Sequence, residues 1–349
     1  NFLCTYHGWT FGSDGRLEYV PGEQEAYYGA LNKEELGLVE ARVDTYAGLI
    51  FACWDKEAPT LEAYLGDARW YLDTEFNRLD AGMIAYGPIK WMEPVNWKTP
   101  VDNCSDNYHV PISHHSSALV QARALGKRTI SHAPMFAVPN PNHHVFVNGH
   151  SLTFKIAEND ELGFIHGLTK YNQHIFEQHH KDKMPEVERR LGAYRARKVV
   201  LQNHSLFPNT VLGFRLALPR GPQMTEFWHF GWVPKDAPYE VQRAMRSGNS
   251  KNNGPAGLFE QDDLDNWRQV TMSSRSPIAR KTSQLLNMGT GRATTHEMYP
   301  GEHAERYISE HNQRNFYVRW QQFMNADSWR DIPLEPMRAR YEGTATLHG

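Results

Sequence analysis

Between Asp102 and His115 the chain reads Asp-Asn-Cys-Ser-Asp-Asn-Tyr-His-Val-Pro-Ile-Ser-His-His, a dense run of metal-ligand side chains. His109 and His114 are five positions apart, which on an ideal helix puts them roughly 140° apart around the axis. That is poor geometry for one ion. Pro111 lies between them; it removes a backbone donor and crowds the preceding turn, so a kink is expected that lets both imidazoles converge. On the pair alone, two unrelated surface histidines beside a helix break remain an open alternative. Two His and one carboxylate on one face leave about three coordination positions open, the arrangement non-haem Fe(II) oxygenases use for O2 and substrate. Phe259-Glu260-Gln261-Asp262-Asp263-Leu264-Asp265 offers carboxylates, although an acidic helix face is also an ordinary solvated surface. Asp106 sits one helical turn before His109, where it could hydrogen-bond that imidazole.

A second pair opens the chain, Cys4 and His7 in Cys4-Thr5-Tyr6-His7-Gly8-Trp9. A thiolate and an imidazole suit zinc or iron. A structural zinc site in a hydrolase would need another Cys/His pair nearby, yet residues 8–100 contain only Cys53 and no His. Three cysteines are too few and too scattered for a disulfide framework, which points to a reduced, cytoplasmic setting. The remaining His of the chain's 18, including His143-His144 and His179-His180, read as ordinary residues of polar, loop-like or helical contexts.

The 349 residues must supply elements that position these groups. Net charge near −3 argues against a nucleic-acid surface or a polybasic membrane contact, and the longest apolar stretch, Tyr46–Trp54, is too short to span a bilayer. Residues 1–55 read as turns and short strands, with a turn at Gly12–Gly15 and β-structure over Arg42–Trp54 interrupted by Gly48. A boundary falls at Glu57–Thr60, giving units 1–57 and 58–349. Leu61–Phe76 has helical spacing, β-structure returns from Gly87, and Asp102 to about Gly126 is helical with a break at Pro111. Phe136–Phe154 and Leu162–Thr169 read as strands, and Lys183–Val200 as a long helix with Pro185 near its start. Leu212–Leu218 and Glu226–Val233 make a hairpin around Pro219–Pro222. Pro238–Arg246, Phe259–Ser274 and Ala304–Asp327 are helices, and the tail after Pro333 is extended. The class is α+β: a small β-rich piece, then a larger domain in which helices cover an antiparallel sheet.

Three motifs together resemble one family. Cys4-x-x-His7 matches the second half of the Rieske motif, Asp106-x-x-His109-x-x-x-x-His114 matches a mononuclear-iron motif, and Gly254-Pro255-Ala256-Gly257-Leu258-Phe259-Glu260-Gln261-Asp262-Asp263 resembles the stretch that supplies the carboxylate. Their order is that of the large (α) subunit of Rieske non-haem iron aromatic-ring hydroxylating dioxygenases of the naphthalene/biphenyl type, and the likeness covers essentially the whole chain. The resemblance implies that Asp263 is the third iron ligand beside His109 and His114. It implies that Cys4 and His7 are half of a Rieske [2Fe–2S] site, so that an upstream Cys-x-His pair is expected and the chain reads as N-terminally truncated, with residues 1–57 a partial Rieske domain. It implies that electrons pass from NADH through a reductase and a ferredoxin to the Rieske cluster, then across neighbouring subunits to Fe(II) by way of Asp106. Partners implied are a β subunit in an α3β3 hexamer, an aromatic hydrocarbon and O2, with a cis-dihydrodiol as product.

A substrate without a coordinating handle calls for an apolar pocket. Asn103 and Asn253 stand where the family would place aromatics, Asn203 matches a position near the iron, and Asn107, Val110, Leu212 and Phe259 complete the candidate wall. Smaller, more polar walls suggest a polycyclic arene. Two other readings are a Rieske monooxygenase or demethylase, and a non-catalytic Rieske electron carrier; the second leaves a second iron site unexplained.

Overall fold

The computed structural model describes residues 1–124, 126, 129, 139–157, 173–211 and 214–334. The chain divides into two compact units, Asn1–Leu61 with Ser328–Arg330, and Glu62–Asp327 with the residues after Arg330. In the first, strands β1 (Phe2–Leu3), β2 (Thr10–Phe11) and β3 (Leu17–Tyr19) form an antiparallel sheet. The turn expected at Gly12–Gly15 closes β2 onto β3 with a Gly15 N–H to Gly12 carbonyl bond of 3.0 Å. Helix α1 (Glu23–Tyr27) follows, and β4 (Arg42–Tyr46) pairs with β5 (Leu49–Cys53) across Ala47-Gly48, both at positive φ. Two consecutive left-handed residues match the twist of a two-residue hairpin.

The second unit begins with α2 (Leu61–Leu65) and α3 (Ala68–Phe76), split at Gly66, then β6 (Met83–Glu93). Helices α4 (Lys98–Asn103), α5 (Val110–Ser113) and α6 (His115–Ala124) carry the ligand segment. Next come β7 (Asn142–Val147), β8 (His150–Ile156), α7 (Gln173–Leu191), α8 (Ala193–Lys198), β9 (Val199–Leu206) and β10 (Thr210–Val211). The chain continues through β11 (Arg215–Pro219), β12 (Thr225–Pro234), α9 (Tyr239–Asn252), α10 (Leu258–Ser273), β13 (Ala293–Thr295), β14 (Glu302–Ala304) and α11 (His311–Asn325). Nine strands form one antiparallel sheet in the order β13-β14-β7-β8-β9-β10-β11-β12-β6. The class is α+β, as expected.

The sheet positions the site because one face of it is packed by helices. Along β12, Thr225, Phe227, His229, Gly231 and Val233 alternate inward, the two-residue period of a strand buried on one face. Helix α10 places Glu260, Leu264, Trp267 and Thr271 on one stripe, and Leu264 and Trp267 close on Phe227, Val95 and Ala217. Truncating the fully buried Phe227 or Phe316 to Ala should cost about 3–5 kcal/mol.

Several boundaries differ from those read in the sequence. There is no single kinked helix across Pro111. Residues 104–109 are turns and bends, and Pro111 sits in the first turn of α5, where its missing N–H costs nothing. The expected strand ending at Phe154 is a hairpin, because Asn148 (φ 51°) and Gly149 (φ 100°) turn the chain back between β7 and β8. His143 and His144 therefore lie on a strand, and His144 is fully buried. Pro185 is inside α7, Gly192 (φ 79°) ends that helix, and Val199 already belongs to β9. Ala304 ends a strand, so the last helix starts at His311. Leu162–Thr169, Leu212 and the tail beyond Leu334 lie outside the described residues. No described helix is long and apolar enough to cross a membrane.

Candidate metal centre and substrate cavity

His109 is the residue before α5 and His114 the residue after it, so one short helix sets their separation. Their rings lie 5.5 Å apart at 68°. Asp263, one position off the buried stripe of α10, faces them: its Oδ1 is 3.2 Å from His114 Nε2 and 3.9 Å from His109 Nε2. Ligand atoms of the three residues lie within 4.8 Å of one another, the only such group among the described residues. Asp263 Oδ1 is buried without a hydrogen-bond partner.

Each imidazole is oriented by a second carboxylate. His109 Nδ1 donates to Asp106 Oδ1 at 2.7 Å, and the His109 backbone N–H donates to the same oxygen at 3.1 Å. The one-turn contact expected of Asp106 thus forms, but in a non-helical turn. His114 Nδ1 lies 3.1 Å from Asp262 Oδ2, which also accepts from Ser117 Oγ at 2.7 Å. Both Nε2 lone pairs are left for a cation. Burial works against protonating His114, but the Asp263 and Asp262 carboxylates outweigh it and raise its pKa. The site attracts positive charge.

Helix α11 locks the ligand turn from behind. Gln313 Nε2 donates to Asp106 Oδ2 at 2.7 Å, Asn312 Nδ2 donates to the Ser105 carbonyl at 2.9 Å, and Tyr317 donates to Asp102 Oδ2 at 2.9 Å. Asn203 Nδ2 donates to the Asp106 carbonyl at 2.9 Å. Sequence reasoning missed Asp262, Gln313 and Asn312. The adjacency of Asp262 to Asp263 was a signal; nothing local marked α11.

A cavity of about 280 Å3 opens at the triad, near the small end of ligand pockets. Asn103, Asn107, Val110, Asn203, Asn253 and Phe259 all line it, as expected. The Phe259 ring packs on His114 at 5.0 Å, and Asn103 Nδ2 is 3.4 Å from His109 Nε2. The wall is not chiefly apolar, however. Glu75, Tyr86, Gln202, His204, His229 and Asn249 join the four asparagines, against Val110, Leu201, Trp232, Met245 and Phe259. An ion pair between Arg215 and Glu260, both buried, also borders the cavity, with Arg215 Nη1 donating to Glu260 Oε1 at 2.6 Å.

In the first unit, Cys4–Trp9 is the loop of the β1–β2 hairpin, closed by Cys4 N–H to the Trp9 carbonyl at 2.8 Å. Gly8, at φ 77°, is needed there because a Cβ would meet the Pro21 ring at 3.0 Å. Backbone amides of Tyr6 and His7 hold the Cys4 thiol below its usual range. That favours a thiolate ligand. A Rieske cluster takes two Cys and two His; among the described residues Cys4 and His7 are joined by no third ligand atom.

Residues 61–326 match the family of ring hydroxylating alpha subunits, catalytic domain. The chain is 35% identical over 347 residues to the biphenyl dioxygenase subunit alpha of Paraburkholderia xenovorans, covering 95% of this chain and 74% of the relative. It is 32% identical over 354 residues to the large oxygenase component of the naphthalene 1,2-dioxygenase system of Pseudomonas fluorescens, at 95% and 74% coverage. A solved naphthalene 1,2-dioxygenase with indole bound in its active site superposes with a TM-score of 0.80 at 32% identity, over 95% of this chain and 75% of that one. The chain belongs to the ring-hydroxylating alpha subunit family. It is an enzyme, the catalytic α subunit of an oxygenase that hydroxylates aromatic hydrocarbons.

Proposed function

We propose that His109, His114 and Asp263 hold a mononuclear iron(II), and that the enzyme adds both atoms of O2 to adjacent ring carbons of a two- or three-ring arene. The observation that carries this is the set of three ligand atoms within 4.8 Å, with the other nitrogen of each imidazole tied to its own carboxylate. Two His and one carboxylate leave open positions at iron, and the metal when bound supplies O2 activation there. The reaction balances as arene, O2, two electrons and two protons giving a cis-dihydrodiol.

The chain's own residues prepare that step. Asp106 fixes the His109 tautomer so that Nε2 offers a lone pair, and Asp262 does the same for His114. Val110 and Phe259 give a ring its apolar contacts, and burial of Asp263 and His114 keeps bulk water from the reacting face. We further propose that Cys4 and His7 supply two ligands of a Rieske [2Fe–2S] cluster, and that NADH feeds electrons through a reductase and ferredoxin. A β subunit in an α3β3 assembly is the partner arrangement proposed, since the relatives are named as alpha subunits or large components of a system. The free cysteines support a reducing, cytoplasmic setting.

The test is incubation of the α subunit, assembled with β subunit, ferredoxin and reductase, with naphthalene and biphenyl under 18O2. Two labelled oxygens in a cis-dihydrodiol are expected, with at least a hundredfold loss in Asp263→Ala. One labelled oxygen would make it a monooxygenase.

A further inference from the structure

Part of the cavity wall is a built hydrogen-bonding surface that an unsubstituted hydrocarbon cannot use. Asn249, on α9, donates from Nδ2 to Tyr86 Oη at 3.0 Å and to His229 Nε2 at 3.1 Å, and its Oδ1 accepts from Asn253 Nδ2 at 2.8 Å. These four residues come from β6, β12 and the end of α9, and all four line the cavity. The cluster depends on Gly231: a Cβ there would stand 2.2 Å from the Tyr86 ring and 2.7 Å from Asn249 Nδ2. So the backbone of β12 is cut back to let a phenol and an amide meet.

The cluster is not self-satisfied. Tyr86 accepts from Asn249, which leaves its O–H free to donate, and Asn253 keeps its amide oxygen. His229 is 4% exposed; with Nε2 accepting, Nδ1 carries the hydrogen, and that buried N–H has no partner. Burial pushes the His229 pKa down to about 3, so the ring is neutral. Glu75, 5% exposed on α3, also lines the cavity, and its Oε2 is buried without a partner. Burial raises its pKa to about 8, so near neutral pH it is mostly an uncharged acid. Buried polar groups left unpaired are costly, and two around one cavity call for a partner.

The charge balance selects the kind of partner. The single cation on the described wall, Arg215, is committed to Glu260 in a buried pair. No second positive group lines the cavity among the described residues. Arg246 stacks on the Tyr86 ring and Arg78 acts on Glu75, neither lining the cavity, so no direct ion pair there repays the desolvation of a carboxylate. We propose that the Tyr86–Asn249–Asn253 cluster with His229 is a specificity subsite for an uncharged oxygen substituent, a hydroxyl or carbonyl, on the arene substrate. This rests on the dioxygenase reading, and it makes oxygenated arenes better ligands than the parent hydrocarbons.

Binding separates the two ideas, because it does not need turnover. Anaerobic fluorescence titration of the assembled enzyme with naphthalene, 2-naphthol and 2-naphthoate should rank 2-naphthol tightest. In Tyr86→Phe, which removes the free O–H donor and little else, the 2-naphthol advantage should shrink about tenfold, the loss of one neutral hydrogen bond, while naphthalene affinity holds or rises. Asn249→Leu, which keeps that donor but removes what positions it, should move the same ratio in the same direction. The same ratio should appear in kcat/KM for ring dihydroxylation. Equal affinity for naphthalene and 2-naphthol, or a ratio untouched by both variants, overturns the subsite and means the wall is merely hydrated. Tightest binding of 2-naphthoate overturns the uncharged assignment. Selective, variant-sensitive binding of 2-naphthol without any dihydrodiol supports the subsite and removes the dioxygenase reading instead.

Discussion

The two units each carry metal-ligand residues, and they hold them in opposite ways. Cys4 and His7 are exposed on the loop of a two-residue-strand hairpin, in a unit whose buried apolar side chains are Leu17, Val20 and Ala58. Their spacing is produced by six consecutive residues. His109 and His114 flank one short helix and Asp263 lies on another more than 140 residues further on, and each histidine is steadied by a further carboxylate that other side chains hold in turn. A loop can present ligands with little help from a core. A buried site must be cross-braced, because an uncompensated carboxylate in the interior is expensive.

The sharpest way to break this comparison is to delete one ligand from the exposed set. In the assembled enzyme Cys4→Ser should abolish the visible absorption of the [2Fe–2S] cluster, while iron bound at the triad stays near one per subunit. Loss of both centres together would show that the two sets are not independent. A smaller effect is expected at the bracing of the buried set. Asp262→Ala leaves all three ligands in place but frees His114 to rotate, so iron affinity should fall about 10–100-fold. Competition with a chelator reads this directly; unchanged affinity would mean that Asp262 is only a surface carboxylate.

The same contrast explains what could be read from the sequence. Cys4-x-x-His7 and Asp106-x-x-His109 are local, and local spacing survived even where the expected helix was a turn. Asp263 was reachable only through the resemblance, since four carboxylates of one stretch compete and only packing of α10 on Phe227 selects the one that faces both histidines. Gln313 and Asn312 carry no local signal, because α11 is brought to the ligand turn by the fold alone. The β7–β8 hairpin was legible in Asn148-Gly149 and was missed by reading one long strand across it. The polar wall was half visible in Asn103 and Asn253, while Asn249 and Tyr86 needed Gly231 to be seen as room rather than as a loop.

The smallest effect expected is on pH-dependent stability, and it should belong to the catalytic unit. Burial lowers the pKa of His143, His144 and His150 to about 4, and of His229 and His303 to about 3. The unfolded chain protonates these rings near 6.5 and the native one does not, so stability is lost as pH falls from about 6.5 towards 4. Burial acts oppositely on the carboxyls of Asp102, raised to about 6, Glu260, raised to about 7 despite Arg215 beside it, and Glu75, raised to about 8. There the native state holds the extra proton, and stability is lost as pH rises from the ordinary carboxyl range through those values. Below pH 6 five histidines oppose three carboxyls, each able to contribute about 1.4 kcal/mol per pH unit, so the histidines win. Above 6.5 Glu260 and Glu75 are left, and a shallow decline towards pH 8 follows. Thermal unfolding should therefore be most resistant near pH 6.5–7, with a steep acid limb and a gentle alkaline one. Glu75→Gln should make the alkaline limb shallower, Glu260 keeping part of it, and the acid limb slightly steeper. An alkaline limb as steep in the variant as in the parent would mean that Glu75 is ionised in the folded protein, held so by Arg78 near it.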